Sequence, residues 1–91
     1  YAAVTRQDTQ GQPVDGWHPD ERVSFYQALR MFTVEAAYAS FSEKQRGRIA
    51  PGFVADLSVW DRDLVADKSL LHTHANLVII GGRVVFARAV P

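Results

Sequence analysis

Two nearly continuous apolar runs, Leu77 to Ile80 and Val84 to Phe86, flank the dipeptide Gly81-Gly82 near the end of this 91-residue chain. Adjacent glycines accept the positive φ that a two-residue turn requires, so the pattern predicts an antiparallel hairpin. Both faces of that hairpin carry apolar side chains, which implies cover on both sides. Left bare, each large side chain would forfeit about 2 kcal/mol of burial. A chain of this length is one small domain and buries only about 60 to 65% of its unfolded surface. The core is expected to be thin, and the hairpin to need a partner layer.

The composition, 47% apolar and 22% charged, excludes a disordered tail, a collagen or a low-complexity linker. Ten Lys plus Arg offset ten Asp plus Glu, so there is no net field to draw in nucleic acid or an anionic membrane, and neither is expected as a partner. The absence of cysteine removes disulfides, iron–sulfur clusters, thiolate zinc sites and a cysteine nucleophile, and points to a cytoplasmic setting. No apolar run approaches the roughly eighteen residues of a transmembrane helix, and the N-terminus has no signal-peptide pattern. The chain opens at Tyr1 rather than Met, within an ordinary-looking segment, which is the expectation for a fragment or a processed piece of a longer protein.

After a short amphipathic opening at Tyr1 to Thr5, Gly11, Pro13, Gly16 and Pro19 punctuate a polar stretch that reads as a long loop. Ser24 followed by Gln27 is a capping box, with Val23 and Ala28 placed for a hydrophobic staple, so a helix is predicted from Phe25. Phe25, Leu29, Phe32 and Ala36 fall on one stripe of its wheel. Thr33 is positioned to cap a second helical run with Glu35 in its first turn, and Gly47 to stop it. Beyond Gly47 the apolar period changes to that of strands. Arg48 to Ala50 reads as a short extended segment, Pro51-Gly52 as a type II turn, and Asp56 to Trp60 as a strand alternating Leu57 and Val59 with their neighbours. The fold class is α+β, helices before strands.

Two imidazoles spaced as in His72-Thr73-His74 chelate a metal when they project from a strand end, but no third ligand stands at a recognisable spacing. The alternative is a polar connection ahead of the Leu77 strand. His18 has the chemistry of a general base, against the commoner role of a solvated or packed loop histidine. Asp56, Asp61 and Asp63 lack the order of a calcium loop, and turn or strand-edge roles suffice for them. The glycines at 47 and 52 open no phosphate-binding loop, and no G-x-S-x-G elbow is present. The residues alone assemble no active site.

The order of the motifs is more specific. Ser24-x-x-Gln27-Ala28-Leu29, Thr33-x-x-Ala36-Ala37, the run Gly47-Arg48-Ile49-Ala50-Pro51-Gly52-Phe53-Val54-Ala55-Asp56-Leu57-Ser58-Val59-Trp60-Asp61, and Val78-x-x-Gly81-Gly82-Arg83-Val84-Val85 together resemble the C-terminal end of the metal-dependent amidohydrolase superfamily. The branch resembled most is that of the N-substituted formamide deformylases, where a W-x-P-x-E-R-like loop precedes the last helices. Trp17, Pro19, Glu21 and Arg22 echo that loop. The resemblance implies that residues 1–46 are the last loop and late helices of a TIM-type barrel, and residues 47–91 the C-terminal strands of a small composite β-sandwich. It implies for the whole enzyme a divalent metal, with zinc the expected ion, activating water at the C-terminal ends of barrel strands. The family's ligand positions fall outside this chain, so the resemblance places no metal, no cofactor and no catalytic residue within it. His72-Thr73-His74 precedes a sandwich strand and is not the family's H-x-H. A loop following the eighth barrel strand would bring Arg6, Trp17 and His18 to the border of the substrate.

The resemblance thus implies a non-catalytic segment of a hydrolase acting on amide-type or formamide-type C–N bonds, inactive alone and partnered by the remainder of the enzyme chain. In isolation its uncovered apolar faces are expected to drive self-association. Two other readings stay open. One is a stand-alone interaction or self-association module without enzymatic activity. The other is a minimal metal protein using His18, His72 and His74.

Overall fold

The computed structural model describes residues 1–64 and 70–89. In chain order it contains a one-turn helix α1 (Ala2–Thr5), a 3-10 turn (Pro19–Glu21), helices α2 (Phe25–Phe32) and α3 (Val34–Ala39), strand β1 (Leu57–Trp60), a second 3-10 turn (Leu70–His72), and strands β2 (Ala75–Ile80) and β3 (Arg83–Ala87). The α+β class and its order follow the sequence pattern.

Helix α2 begins where its capping box predicts. Ser24 Oγ accepts from the Gln27 amide at 3.1 Å, and Gln27 Oε1 accepts from the Ser24 amide at 2.8 Å. Thr33 stands at the N-cap of α3 as expected, but its side chain makes no capping bond there. Its hydroxyl donates backwards to the Leu29 carbonyl at 2.7 Å, serving an unpaired acceptor at the end of α2. Helix α3 also stops earlier than Gly47. Its end is a Schellman arrangement in which the Ser42 amide donates to the Ala37 carbonyl at 2.9 Å and the Phe41 amide to Tyr38 at 3.1 Å. Phe41 holds the left-handed position that glycine usually fills, at φ 61.

Gly47 has a different task. At φ 95 its backbone lies so close to α3 that a Cβ there would stand 2.9 Å from both the Ala37 Cβ and the Thr33 carbonyl oxygen. Ala37 is the one buried apolar residue among those described, at 7% exposure. The segment from Arg48 to Ala50, expected to be extended, joins no strand, because no neighbouring backbone is aligned to pair with it. Ile49 is left 89% exposed. The Pro51-Gly52 turn forms, closed by the Phe53 amide on the Ala50 carbonyl at 3.1 Å.

The three strands make one antiparallel sheet in the order β1-β2-β3. Leu57 pairs with Ile79 and Val59 with Leu77, while Val78 pairs with Phe86 and Ile80 with Arg83. Register shifts fall between Val59 and Trp60 and between Val78 and Ile79. Gly81 and Gly82 turn the hairpin at φ 59 and 79, the two positive values of a type I′ turn. The cover expected on both faces is not supplied by these residues. Strand β3 is exposed along its length and β2 is only half-buried, since among the described residues no element packs across the sheet.

The whole is correspondingly open. The chain spans 42 × 40 × 19 Å with a radius of gyration of 15.3 Å, where a compact chain of this length has about 12 Å. It exposes 7145 Å², against about 5,300 Å² for a folded monomer of this mass. Phe32, on the apolar stripe of α2, is 78% exposed.

Candidate functional site

Arg6 ends α1 in the left-handed conformation, at φ 57 and ψ 30, and so turns the chain outward. The segment from Gln7 to Gly16 then folds on itself. The Asp8 carboxylate accepts from the amides of Gln10 at 2.9 Å and Gln12 at 3.0 Å, and Gln7 Nε2 donates to the Val14 carbonyl at 2.8 Å. The loop closes where it began. The Trp17 amide donates to the Arg6 carbonyl at 2.8 Å, and Arg6 Nε donates to the Trp17 carbonyl at 2.9 Å. Such a compact excursion with adjoining ends is an Ω-loop.

Arg6 does more than close the neck. Its Nη2 donates to Glu21 Oε2 at 3.3 Å, and its guanidinium carbon lies 5.1 Å from the centre of the Trp17 ring. His18, left-handed at φ 48, starts the 3-10 turn and sets its ring edge-on to Trp17 with centroids 4.4 Å apart. Arg6, Trp17 and His18, expected at a substrate border, therefore stand in one cluster, with Trp17 62% exposed. Arg6 and His18 are two of the three described non-glycine residues at positive φ. Each such conformation costs about 1 kcal/mol or more, and it persists where surrounding contacts over-determine it. Glu21 belongs to the cluster but carried no site role in the sequence reading. Its place in the Trp17, Pro19, Glu21, Arg22 string was the available signal. Arg22 Nε closes the same turn on the Pro19 carbonyl at 3.0 Å.

One end of the sheet is tied by Asp61. Its Oδ1 accepts from Arg62 Nε at 3.1 Å and from the His74 amide at 3.2 Å, and Arg88 Nη1 donates to Oδ2 at 3.3 Å. The Arg62 side chain first, and the His74 amide second, draw the carboxyl from its ordinary 3.8 down to about 2. His74 Nδ1 lies 3.6 Å from Asp61 Oδ2, while His72 is exposed at the end of its 3-10 turn. Among the described residues no group of three or more His, Cys, Asp or Glu side chains is placed to hold a metal ion, so His18, His72 and His74 do not come together as one.

The other end of the sheet is tied by Asp56. Its Oδ1 accepts from the Gly81 amide at 2.8 Å, its Oδ2 pairs with Arg46 Nη1 at 2.7 Å, and the preceding Ala55 carbonyl accepts from the Gly82 amide at 3.0 Å. The Ala55-Asp56 and Gly81-Gly82 motifs are thus two halves of one latch, and their spacing serves folding. Between α2 and β1 lies an open cleft of about 750 Å³, lined by apolar side chains including Leu29, Phe32, Ile49, Leu57 and Trp60. Its charged lining includes Arg46 and Asp56, which are paired with each other in the latch.

The sequence pattern of the amidohydrolase family matches residues 1–86. The N-substituted formamide deformylase of Arthrobacter pascens is 42% identical over 65 residues, which is 71% of this chain and 11% of that protein. A Bacillus subtilis (strain 168) protein that carries the name amidohydrolase YtcJ is 30% identical over 90 residues, 97% of this chain and 17% of its own length. The chain spans less than a fifth of either relative. No solved structure matches it. Among the described residues no helix is long and apolar enough to cross a membrane.

Proposed function

This chain belongs to the amidohydrolase family, and from that premise we propose that it forms the C-terminal, non-catalytic segment of a longer metal-dependent hydrolase of C–N bonds. The name of the Arthrobacter relative favours an amide or formamide as the bond cleaved. Residues 1–46 contribute the last loop and late helices of a TIM-type barrel, and residues 47–91 the closing strands of a composite β-sandwich. Arg6, Trp17 and His18 border the substrate from the loop neck. The family implies a divalent metal, but the described residues do not fit one, because no three ligating side chains converge. No step through a metal is assigned to them, and the ligands belong to the rest of the enzyme.

The observation that carries this reading is the set of large apolar side chains left uncovered on α2 and on the sheet, Phe32 at 78% and Val84 at 60% exposure among them, in a chain whose total exposed surface is about 1,900 Å² above that of a compact monomer of its mass. A barrel wall and further sandwich strands would cover those faces. Alone, the chain is expected to hydrolyse no amide and to self-associate at micromolar concentration. Sedimentation velocity together with an amidase assay on the purified chain tests both statements. A stable, inert monomer with a high melting temperature would oppose the segment reading, and amide hydrolysis by the chain alone would end it.

A further inference from the structure

We infer that Arg6 is a positioning residue, the clamp that sets Trp17 and His18 in place, and that it contacts no substrate itself. The inference deepens the substrate-border reading above and rests on it for its functional arm. Its structural basis is that the guanidinium is committed to the protein. Arg6 Nε is on the Trp17 carbonyl at 2.9 Å, Nη2 is on Glu21 at 3.3 Å, and the guanidinium carbon lies 5.1 Å from the centre of the Trp17 ring. The backbone of Arg6 takes part as well, accepting the Trp17 amide at 2.8 Å from a left-handed conformation.

The geometry explains why a planar fork is needed. One donor must hold the carbonyl that ends the Ω-loop, and a second must hold the carboxylate that ends the Pro19–Glu21 turn. His18 lies between those two anchored points, itself left-handed and edge-on to Trp17. A lysine offers a point charge that reaches one anchor at a time. An exposed ion pair of this kind adds little stability, so its consequence is geometric.

Hydrogen exchange read by mass spectrometry over residues 7–18 of the chain, with residues 75–88 as the internal standard, tests the clamp. Arg6→Gln and Glu21→Gln are expected to speed exchange at 7–18 by about three- to fivefold and to leave 75–88 unchanged, the effect of one lost surface ion pair. Arg6→Lys should restore part of the protection. If Arg6→Gln loosens the whole chain, Glu21→Gln decides, since Glu21 is on the surface. Unchanged exchange at 7–18 in Glu21→Gln would overturn the clamp.

The same substitutions in the longer amidohydrolase separate the clamp from the reading it rests on. Arg6→Gln, Glu21→Gln and the double variant are expected to raise KM to a similar degree with kcat held. A loss in Arg6→Gln with none in Glu21→Gln would make Arg6 a substrate contact and overturn the inference. Normal kinetics in every variant, with exchange accelerated, would leave the clamp standing and remove the substrate border.

Discussion

The two ends of the sheet and the cleft beside it are built from the same short chain and are completed to very different degrees. At the turn end, Asp56 joins Arg46 and the Gly81 amide, and at the opposite end Asp61 gathers Arg62, His74 and Arg88. A few directional bonds suffice there, because a polar group is satisfied by one or two partners at the right distance. In the cleft, Leu29 and Phe32 face β1 across open space. Apolar faces are satisfied only by area, and the described residues leave Phe32, Val84 and Val85 more than half exposed. A fragment of a larger fold should show this contrast: finished polar knots and unfinished apolar walls.

The sharpest way to break the contrast is to attack the packing around Ala37, the one buried apolar residue among those described. Gly47→Ala forces a Cβ to 2.9 Å from Ala37 and from the Thr33 carbonyl at a φ of 95. Left-handed strain and overpacking together should destabilise the chain by about 3 kcal/mol in urea denaturation. A loss below about 1 kcal/mol would show that α3 and Gly47 do not meet as described.

Second in size is the Asp56 latch. Asp56→Ala removes the acceptor for the Gly81 amide and the partner of Arg46, and should cost about 2 kcal/mol. Asp56→Asn keeps a carbonyl oxygen for Gly81 and should cost roughly half as much. If the two variants are equally damaging, the charge on Asp56 matters and the turn bond does not.

Acid should open the other knot. The Asp61 carboxyl titrates lower in the folded chain, at about 2, than its ordinary 3.8. Its contribution is therefore complete above about pH 4 and lost as the pH falls towards 2. A stability profile followed by circular dichroism should fall across that window, and Asp61→Asn should flatten the fall. A variant as acid-sensitive as the parent would assign the fall to other carboxylates.

How much of this was legible depends on the range of each signal. The Ser24 capping box and the Gly81-Gly82 turn are local, so residues three positions apart or fewer declare them. The end of α3 was misplaced because the left-handed position is taken by Phe41, which no propensity rule favours, while Gly47 further on is reserved for close approach to α3. The segment from Arg48 to Ala50 has strand-like residues, but a strand exists only with a partner, and pairing is not written in the residues themselves. The site followed the same rule. Arg6, Trp17 and His18 were each visible as candidates, but Glu21, visible only as part of the W-x-P-x-E-R-like string, gains its role through a side-chain contact spanning fifteen residues. Nothing in the spacing of charges marks it.

The smallest expected effect has the opposite sign. Phe41 occupies φ 61 with its ring 93% exposed, so the ring gains little from burial while its Cβ strains the backbone. Phe41→Gly relieves about 1 kcal/mol of left-handed strain and returns part of it as the greater chain entropy of glycine when unfolded. A net stabilisation of about 0.5 kcal/mol is expected. Phe41→Ala serves as the control, because it removes the ring and keeps the strain, and it should leave stability within about 0.5 kcal/mol of the parent. A marked loss in both variants would mean that the ring is covered in solution. A loss that grows with protein concentration would identify a second copy as the cover. Under the proposed segment reading, an exposed phenylalanine in a strained backbone would be covered by the rest of the longer chain, and this pair of variants tests whether the ring is uncovered in the chain alone.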